Sequence, residues 1–366
     1  MSQYWYEAVD TGHKPGRLVP LVRTATTLVE RTLRVQPGQQ ICIAADTEVS
    51  PLLVWTIAGA VAAAGGVPSV VTFEANARPG MDVPAPVGAA LLAADAIVAC
   101  VSRSISFAKA IQEAYLVRRI PYVVMSNATE DMLMRGAATA DVDVVRDISH
   151  RTRDALNRGT TVRVTTPHGT DVTFDTAGRP WYAYSSFFED GATAAVFPGG
   201  EVNTCPNEHS GEGRIVIDSF MMEIGRPATP ISWELREGRI VSIEGGEEAR
   251  RLERLLAEHG DDNSRWIGEL SVGTNYAART IGSALEDKQV YGTCHIALGT
   301  GVSAPDGLYK RRYTSALHLD GVMTRPTVTV DGVEVVRDGE ILAAPRPATG
   351  IAAAGGAAAG SIRSAT

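Results

Sequence analysis

Two side chains near the carboxyl terminus are of types that bind divalent metal ions and have a spacing that suits them to it. His318 and Asp320 lie two residues apart in the segment SALHLDGVM. On a β-strand, residues two apart project from the same face, so this imidazole and this carboxylate can approach a single cation. A hydrogen-bonded pair is the commoner use of the pattern alone, so a metal centre needs further ligands.

Three more candidates lie in apolar, glycine-containing segments. His295 lies in GTCHIALG, Glu269 in WIGELSVG and Glu201 in FPGGEV. A buried carboxylate without a partner costs free energy, but ordinary alternatives exist. Glu201 could cap a turn, Glu269 could pair with Arg279, and His295 could be a structural histidine. A metal accounts for all of them together, and the predicted ligands are therefore Glu201, Glu269, His295, His318 and Asp320.

The amino-terminal part predicts a parallel sheet with flanking helices. Between residues 39 and 125, apolar strand-like runs alternate with helical stretches, and Gly65-Gly66 ends the first helix. This order is typical of βαβ units. The predicted strands are 41–45, 68–73, 96–101 and 121–125, and the predicted helices are 50–64 and 106–118. No GxGxxG follows a strand, so we expect no dinucleotide site.

After residue 160 the pattern changes to short alternating segments separated by Gly, Asp and Pro, which predicts an antiparallel β-rich part. One helix is predicted at 247–259, and a last hairpin at 327–342 with turns at Asp331-Gly332 and Asp338-Gly339. We therefore predict an α/β fold class: an α/β domain over 1–155, a β-rich α+β metal-binding domain over 156–344, and a disordered tail over 345–366, which is rich in Ala, Gly and Ser.

Composition excludes several classes of function. The net charge of −8 argues against nucleic acid as a partner, because phosphate backbones bind concentrated Lys and Arg. The first residues lack the pattern of a secretory signal, and the longest apolar stretch, 52–65, is too short to span a bilayer. The 4 cysteines have no CxxC spacing and suit reduced thiols. We expect a cytoplasmic protein without membrane contact.

Several motifs over roughly residues 40–342 resemble the aminopeptidase T type of metallopeptidases and their relatives, the 2,5-dihydroxypyridine dioxygenases. They are GTDVTF (169–174), FPGGEV (197–202), PNEHSGEGR (206–214), GELSVGTN (268–275), GTCHIALG (292–299), HLD (318–320) and TVTVDG (327–332). In the peptidase branch, similar motifs supply the ligands of a two-metal site. The resemblance implies that the five predicted ligands hold two Zn, Mn or Co ions with one bridging carboxylate. It also implies a homodimer.

The chain departs from the peptidase pattern beside His295. The peptidases have a glutamate shortly before this histidine and a tyrosine shortly after it, where this chain has Val290 and Val302. The dioxygenase branch uses one iron held by two histidines and one carboxylate. In that branch a histidine stands at the position of Glu269, and the position of Glu201 is not acidic.

Because this chain has glutamates at both positions, we expect a metal-dependent hydrolase of amide or peptide bonds, acting on a small-molecule or peptide substrate. The alternatives are an Fe(II) ring-cleaving dioxygenase that uses His295, His318 and Asp320, and a binding protein that has kept the fold without turnover. Glu208 and Glu212 are candidates for the general base, because their loop follows the Glu201 strand closely. A solvated loop is the alternative for both.

Overall fold

The computed structural model describes residues 15–347 except 190, 305–307, 309, 311 and 316. Within these residues the chain forms one parallel sheet and two antiparallel sheets, with helices mainly around the parallel sheet. The predicted α/β class is confirmed, because a parallel sheet with helices precedes a β-rich part. Among the described residues, no helix has both the length and the apolar character needed to cross a membrane. The predicted tail lies almost wholly outside the described residues.

The parallel sheet has five strands in the order β2-β1-β3-β4-β8. Its strands are β1 (Gln40–Asp46), β2 (Val67–Phe73), β3 (Ala96–Cys100), β4 (Tyr122–Val124) and β8 (Ala194–Val196). The helices before and between them are α1 (Leu18–Thr27), α2 (Pro51–Ala63), α3 (Ala85–Leu92), α4 (Lys109–Gln112), α5 (Glu130–Arg135) and α6 (Val142–Leu156). Short 3-10 or π turns occupy Pro15–Arg17, Leu28–Leu33, Glu113–Val117 and Ala137–Thr139. The βαβ order predicted from the sequence is thus confirmed.

An eight-stranded antiparallel sheet has the order β13-β12-β10-β6-β5-β17-β18-β19. Its strands are β5 (Thr161–Thr165), β6 (Asp171–Asp175), β10 (Glu212–Ile217), β12 (Ile231–Arg236), β13 (Arg239–Glu244), β17 (Thr327–Val330), β18 (Val333–Arg337) and β19 (Glu340–Ile341). The helix α7 (Glu247–His259) has the bounds predicted for it. Both predicted turns of the last hairpin have positive φ at Asp and Gly, as two-residue hairpin turns require.

A six-stranded antiparallel sheet, which we call the ligand sheet, has the order β11-β16-β15-β14-β9-β7. Its strands are β7 (Tyr182–Tyr184), β9 (Glu201–Thr204), β11 (Phe220–Met221), β14 (Ile267–Gly273), β15 (Cys294–Gly299) and β16 (His318–Met323). A 3-10 turn (Asp262–Arg265) precedes β14, and the short helix α8 (Ala284–Asp287) lies between β14 and β15. One face of this sheet shares a hydrophobic core with the eight-stranded sheet, with Trp233 and Ile296 fully buried in it.

The parallel sheet takes strands from both sides of the predicted boundary at residue 155. β8 pairs with β4 in parallel, although it follows α6 and three strands of the other two sheets. The chain therefore returns to the first sheet before it enters β9. This return brings the end of the parallel sheet next to the ligand sheet, and the two-domain boundary stays a prediction.

Candidate metal centre

Four neighbouring strands of the ligand sheet carry the five predicted ligands. Glu201 begins β9, Glu269 lies on β14, His295 on β15, and His318 and Asp320 on β16. The pairing register places Ala297 opposite both Glu269 and Asp320. Residues opposite each other in an antiparallel pair, and residues two apart on a strand, share a face. All five side chains therefore project from the face that is turned away from the core shared with the eight-stranded sheet.

Small residues leave room between these side chains. Ala297 separates Glu269 from Asp320 across the strands, and Gly299 lies opposite His318. Gly273 lies opposite Glu201, and a Cβ atom there would come within 2.2 Å of the Val290 carbonyl oxygen. The loop that follows α8 can therefore lie directly over this face only because residue 273 has no side chain.

The side-chain atoms converge closely. The Nε2 atom of His318 lies 3.0 Å from Glu269 Oε2 and 3.3 Å from Asp320 Oδ1. The Nε2 atom of His295 lies 3.6 Å from Glu269 Oε1 and 3.8 Å from Glu201 Oε2. One ligand atom from each of Glu269, His295 and Asp320 falls within 4.8 Å of the others. The structure thus brings all five predicted residues into one cluster.

Both imidazoles are oriented by backbone carbonyl oxygens. His295 Nδ1 lies 3.2 Å from the Lys288 oxygen, and His318 Nδ1 lies 2.8 Å from the Thr300 oxygen. A carbonyl oxygen can only accept, so each Nδ1 carries the hydrogen and each Nε2 faces the cluster. This arrangement is typical of histidines that bind a metal through the other ring nitrogen.

Several buried atoms of the cluster have no hydrogen-bond partner among the residues that the structure describes. They are Glu201 Oε2, Glu269 Oε1, His295 Nε2 and both carboxylate oxygens of Asp320. Each of these side chains is at most 3% exposed. Buried polar atoms normally find a partner, and leaving several together unpaired is costly. A divalent cation would satisfy them, so the residues present fit a metal ion.

Sequence reasoning missed Lys288, whose ammonium group joins the cluster. Its Nζ lies 3.3 Å from Glu201 Oε1 and 3.9 Å from Asp320 Oδ2, and its side chain is 17% exposed. No motif marks this residue, because it lies in the loop after α8 and reaches the cluster only through the fold. The one available signal was a lysine close before the His295 strand, in a segment where an acid was expected.

The charges of the cluster shift one another's pKa values in the metal-free protein. Burial favours a lower pKa for His318, but Asp320 and Glu269 outweigh it and raise the pKa well above 6.5. Burial favours a higher pKa for Asp320, but Lys288 and His318 lower it to about 2. For Glu201 burial prevails and raises the pKa, because Lys288 and His295 offset it only in part. The metal-free cluster therefore holds protons on nitrogen atoms and negative charge on carboxylates, and a bound cation would change the protonation of both.

Arg279 pairs with other carboxylates than Glu269. Its Nε lies 3.1 Å from Glu286 Oε1, and its Nη2 lies 2.6 Å from Asp131 Oδ2. Glu286 is fully buried and also accepts a hydrogen bond from the Ala137 amide. The alternative in which Arg279 neutralises Glu269 is therefore wrong, and Glu269 keeps only the imidazoles as close partners among the described residues.

The two predicted general bases lie elsewhere. Glu208 is paired with Arg179 at 2.8 Å and accepts a hydrogen bond from the Arg312 amide. Glu212 is exposed at the start of β10 and accepts a hydrogen bond from the Glu237 amide. The structure does not bring either carboxylate to the cluster, because the loop that carries them turns toward the eight-stranded sheet.

A cavity of about 400 Å³ opens on the cluster and includes Lys288, His318 and Asp320 in its wall. The opposite wall comes from the residues that follow β3 and β4, at the carboxyl ends of the parallel strands, where α/β folds commonly bind ligands. That wall contributes Ser102, Ser104, Phe107, Ser126 and Asn127. The Phe107 ring lies 6.5 Å from the His318 ring, between centroids. The cavity therefore joins an apolar ring and several polar groups to the candidate metal ligands.

Comparison with known proteins agrees with the resemblance predicted from the motifs. A family model for 2,5-dihydroxypyridine 5,6-dioxygenase (NicX) matches residues 24–343. The structure of 2,5-dihydroxypyridine dioxygenase from Pseudomonas putida KT2440 is similar, with a TM-score of 0.73, 18% identity, and coverage of 88% of this chain and 96% of that chain. AmpT from Thermus thermophilus is also similar, with a TM-score of 0.61, 18% identity, and coverage of 88% and 99%. Among curated proteins no match is found.

These findings support an enzyme with a divalent metal ion, as the sequence predicted. The family model carries the name of the alternative, the dioxygenase, whereas the two solved structures, at 18% identity, show the shared fold, and the expected hydrolase stays a prediction. The number and identity of the ions, the homodimer and the cytoplasmic location stay predictions. Because the family model covers most of the sequence, this chain belongs to the 2,5-dihydroxypyridine 5,6-dioxygenase (NicX) family.

Proposed function

We propose that this protein is a metal-dependent enzyme that uses O₂ to cleave the ring of a small hydroxylated heteroaromatic molecule. The observation that carries the proposal is the convergence of His295, His318 and Asp320 around Glu269, beside a cavity whose wall includes His318 and Asp320. Two imidazoles and one carboxylate are the ligand set of non-haem Fe(II) oxygenases. Family membership supports the same chemistry.

A bound Fe(II) ion would supply the redox chemistry that O₂ requires and leave coordination positions for substrate. His295, His318 and Asp320 would hold it, with Glu269 as a further carboxylate beside both imidazoles. The carbonyl oxygens of Lys288 and Thr300 fix the orientation of the rings. This differs from the relatives that have a histidine in place of Glu269, and a different substrate or metal affinity is the expected consequence.

The cavity has room for a substrate that contains an aromatic ring. Its apolar wall includes Phe107, Val124 and Phe220, which suit the faces of an aromatic ring. Ser126 Oγ is buried and has no hydrogen-bond partner among the described residues, so it is available for a hydroxyl or ring nitrogen of the substrate. Lys288 lies on the opposite wall, with His318 and Asp320, and would stabilise negative charge on a substrate oxygen.

Amide or peptide hydrolysis is the second candidate, and the three carboxylates of the cluster favour it. Glu201, Glu269 and Asp320 form an oxygen-rich set that suits Zn, Mn or Co ions in hydrolases. The similarity to AmpT supports the same reading. This was the function expected from the sequence, and it ranks second because the family model names a dioxygenase.

One experiment separates the two candidates. The metal-free protein is loaded under argon with Fe(II), or separately with Zn, Mn or Co, and is then given 2,5-dihydroxypyridine in air or leucine amide. Oxygen uptake with the Fe(II) protein, abolished in His318→Gln but not in His168→Gln, supports the proposal. His168 is an exposed histidine and serves as the matched control. Amide hydrolysis without oxygen uptake would reject the dioxygenase in favour of the hydrolase.

A further inference from the structure

The carboxylate oxygens of the cluster are divided between two cation positions. In Asp320, Oδ1 faces His318 Nε2 at 3.3 Å, whereas Oδ2 faces Lys288 Nζ at 3.9 Å. In Glu201, Oε2 faces His295 Nε2 at 3.8 Å, whereas Oε1 faces Lys288 Nζ at 3.3 Å. One position is therefore bounded by the imidazoles and Glu269. The other contains the ammonium group of Lys288.

Two carboxylates that each direct one oxygen to either position form the pattern by which bridging carboxylates join two metal ions. In this chain one of those positions already contains a covalently attached cation. Glu269 lies within 4 Å of both imidazoles and, among the described residues, forms no ion pair with a lysine or arginine. A second ion at the Lys288 position would have two carboxylates but also a positive charge in place.

The sum of charges in the cluster also favours one divalent ion beside Lys288 over two divalent ions. Glu201, Glu269 and Asp320 carry three negative charges when ionised, and both imidazoles must be neutral to bind a metal. One divalent ion and one ammonium group carry three positive charges and neutralise the three carboxylates. A second divalent ion would leave two uncompensated positive charges at a site where the three carboxylates are at most 3% exposed, and buried uncompensated charge is strongly unfavourable.

The fold holds Lys288 in this position from two sides. Gly273 lets the loop approach the sheet, since a Cβ there would meet Val290 O at 2.2 Å. The Lys288 carbonyl oxygen accepts a hydrogen bond from His295 Nδ1, so the backbone orients one ligand while the side chain contacts two others. Burial favours a lower pKa for the ammonium group, but Glu201 and Asp320 outweigh it and raise its pKa.

We propose that Lys288 is a positioning residue that fills the place of a second cation, so that the centre binds one divalent ion and not two. The inference rests on the proposed function only in requiring that this cluster binds a metal. It replaces the two ions expected from the resemblance to the peptidases with one ion and one ammonium group. The same limit applies to either reaction at this centre.

The test is the metal stoichiometry of the full chain with Mn(II) as the probe. The metal-free wild type, Lys288→Glu and Lys288→Met are titrated with Mn(II), and bound metal is measured by equilibrium dialysis and electron paramagnetic resonance. We expect one Mn(II) per wild-type chain with the spectrum of an isolated ion. Lys288→Glu removes the positive charge and adds a carboxylate, and it should bind two ions with a spin-coupled spectrum.

Lys288→Met keeps an unbranched side chain that is one atom shorter and removes its charge. It should bind the first ion as the wild type does and a second ion more weakly, and it keeps the test decisive if thermal melting shows that Lys288→Glu is unfolded. Lys310→Glu and Lys310→Met are the matched controls, because Lys310 is exposed, and both should bind one ion.

Four distinct results would each overturn a part of the proposals. Two Mn(II) ions per wild-type chain would overturn the role of Lys288 and leave the metal enzyme intact. The same stoichiometry of one ion in the wild type and in both folded Lys288 variants would also overturn it. No bound metal in the wild type would reject the metal centre itself. One ion without oxygen uptake or hydrolysis would reject the proposed reaction and leave the inference on Lys288 standing.

Discussion

Metal binding to this protein should become steeply weaker as the pH falls, because protons and the metal ion compete for the same imidazole nitrogens. Neighbouring carboxylates raise the pKa of His318 well above 6.5 and also raise the pKa of His295. In the metal-free protein both rings therefore hold a proton on Nε2 at mildly acidic pH. Both must release it when the ion binds.

The number of protons that the metal ion displaces sets how strongly its apparent dissociation constant changes with pH. Each displaced proton changes the apparent dissociation constant about tenfold per pH unit below the pKa of its group. Two imidazoles predict a change of about a hundredfold per pH unit around pH 6, which declines toward zero above both pKa values. Lys288 keeps its proton and should add nothing to this slope, whereas burial raises the pKa of Glu201, so its carboxyl group should add to the slope wherever the pH lies below that raised pKa.

Isothermal titration calorimetry with Zn(II) in two buffers of different ionisation enthalpy measures the protons released. We expect close to two near pH 6 in the wild type, close to one in His318→Gln, and two in the control His168→Gln. A proton release near zero in the wild type at pH 6, or an affinity that does not change with pH, would refute the reasoning. Either result would mean that the imidazoles do not bind the ion or are not protonated without it.

The raised pKa values of the two histidines predict opposite effects of pH on the stability of the metal-free and the metal-bound protein. A histidine whose pKa is raised by folding stabilises the metal-free fold below its unfolded value of 6.5, and this stabilisation is lost as the pH rises through the folded pKa. The metal-bound protein gains stability over the same interval, because its ion binds more tightly. The difference in Tm between the two forms should therefore widen as the pH increases.

Three substitutions test other parts of the structure. Ala297→Leu should fill the space between the candidate ligands and reduce bound metal to a small fraction of one equivalent in a protein that still melts cooperatively. Its control, Ile296→Val on the opposite face, should leave metal content unchanged and lower the free energy of unfolding by about 0.5–1.5 kcal/mol. Equal metal content in both variants would contradict the strand register. Arg279→Met should leave the fully buried Glu286 carboxylate without its ion pair and lower the free energy of unfolding, measured by urea denaturation, by roughly 3–5 kcal/mol. A loss below about 1 kcal/mol would show that this ion pair is dispensable for stability. Phe107→Ala should raise KM for an aromatic substrate by roughly three- to tenfold, as expected for the loss of one ring contact, and leave metal content unchanged. An unchanged KM would mean that the substrate binds away from Phe107.

Local sequence patterns predicted much of the fold. The alternation in 161–165 and 171–174 marks β5 and β6, and the apolar spacing in 247–259 marks α7, because in both cases one face is buried and the other is not. The five candidate ligands could also be named from the sequence, since acids and histidines in apolar strands need partners. Their convergence on one face depends on strand register, which the HLD spacing indicates for only two of them.

Features that depend on contacts between distant segments could not be predicted. Lys288 enters the cluster because its loop lies over Gly273, a contact that no spacing within the loop indicates. β8 pairs with β4 across more than 60 residues of intervening chain, as the register of Val196 with Val124 shows. The role assigned to Glu208 and Glu212 followed from closeness in sequence to Glu201, but a turn after β9 carries them toward Arg179 and Glu237 instead.

The two walls of the cavity differ in how freely they can change. The candidate ligands lie on hydrogen-bonded strands of the ligand sheet, and the other face of this sheet packs into the core shared with the eight-stranded sheet. An altered backbone there would disturb the packing of both sheets. The facing wall comes from connecting segments after β3 and β4, including Ser102 and Ser126, and such segments tolerate insertions and exchanges. New substrates can therefore be accommodated by rebuilding one side alone, which makes this scaffold a practical starting point for directed evolution.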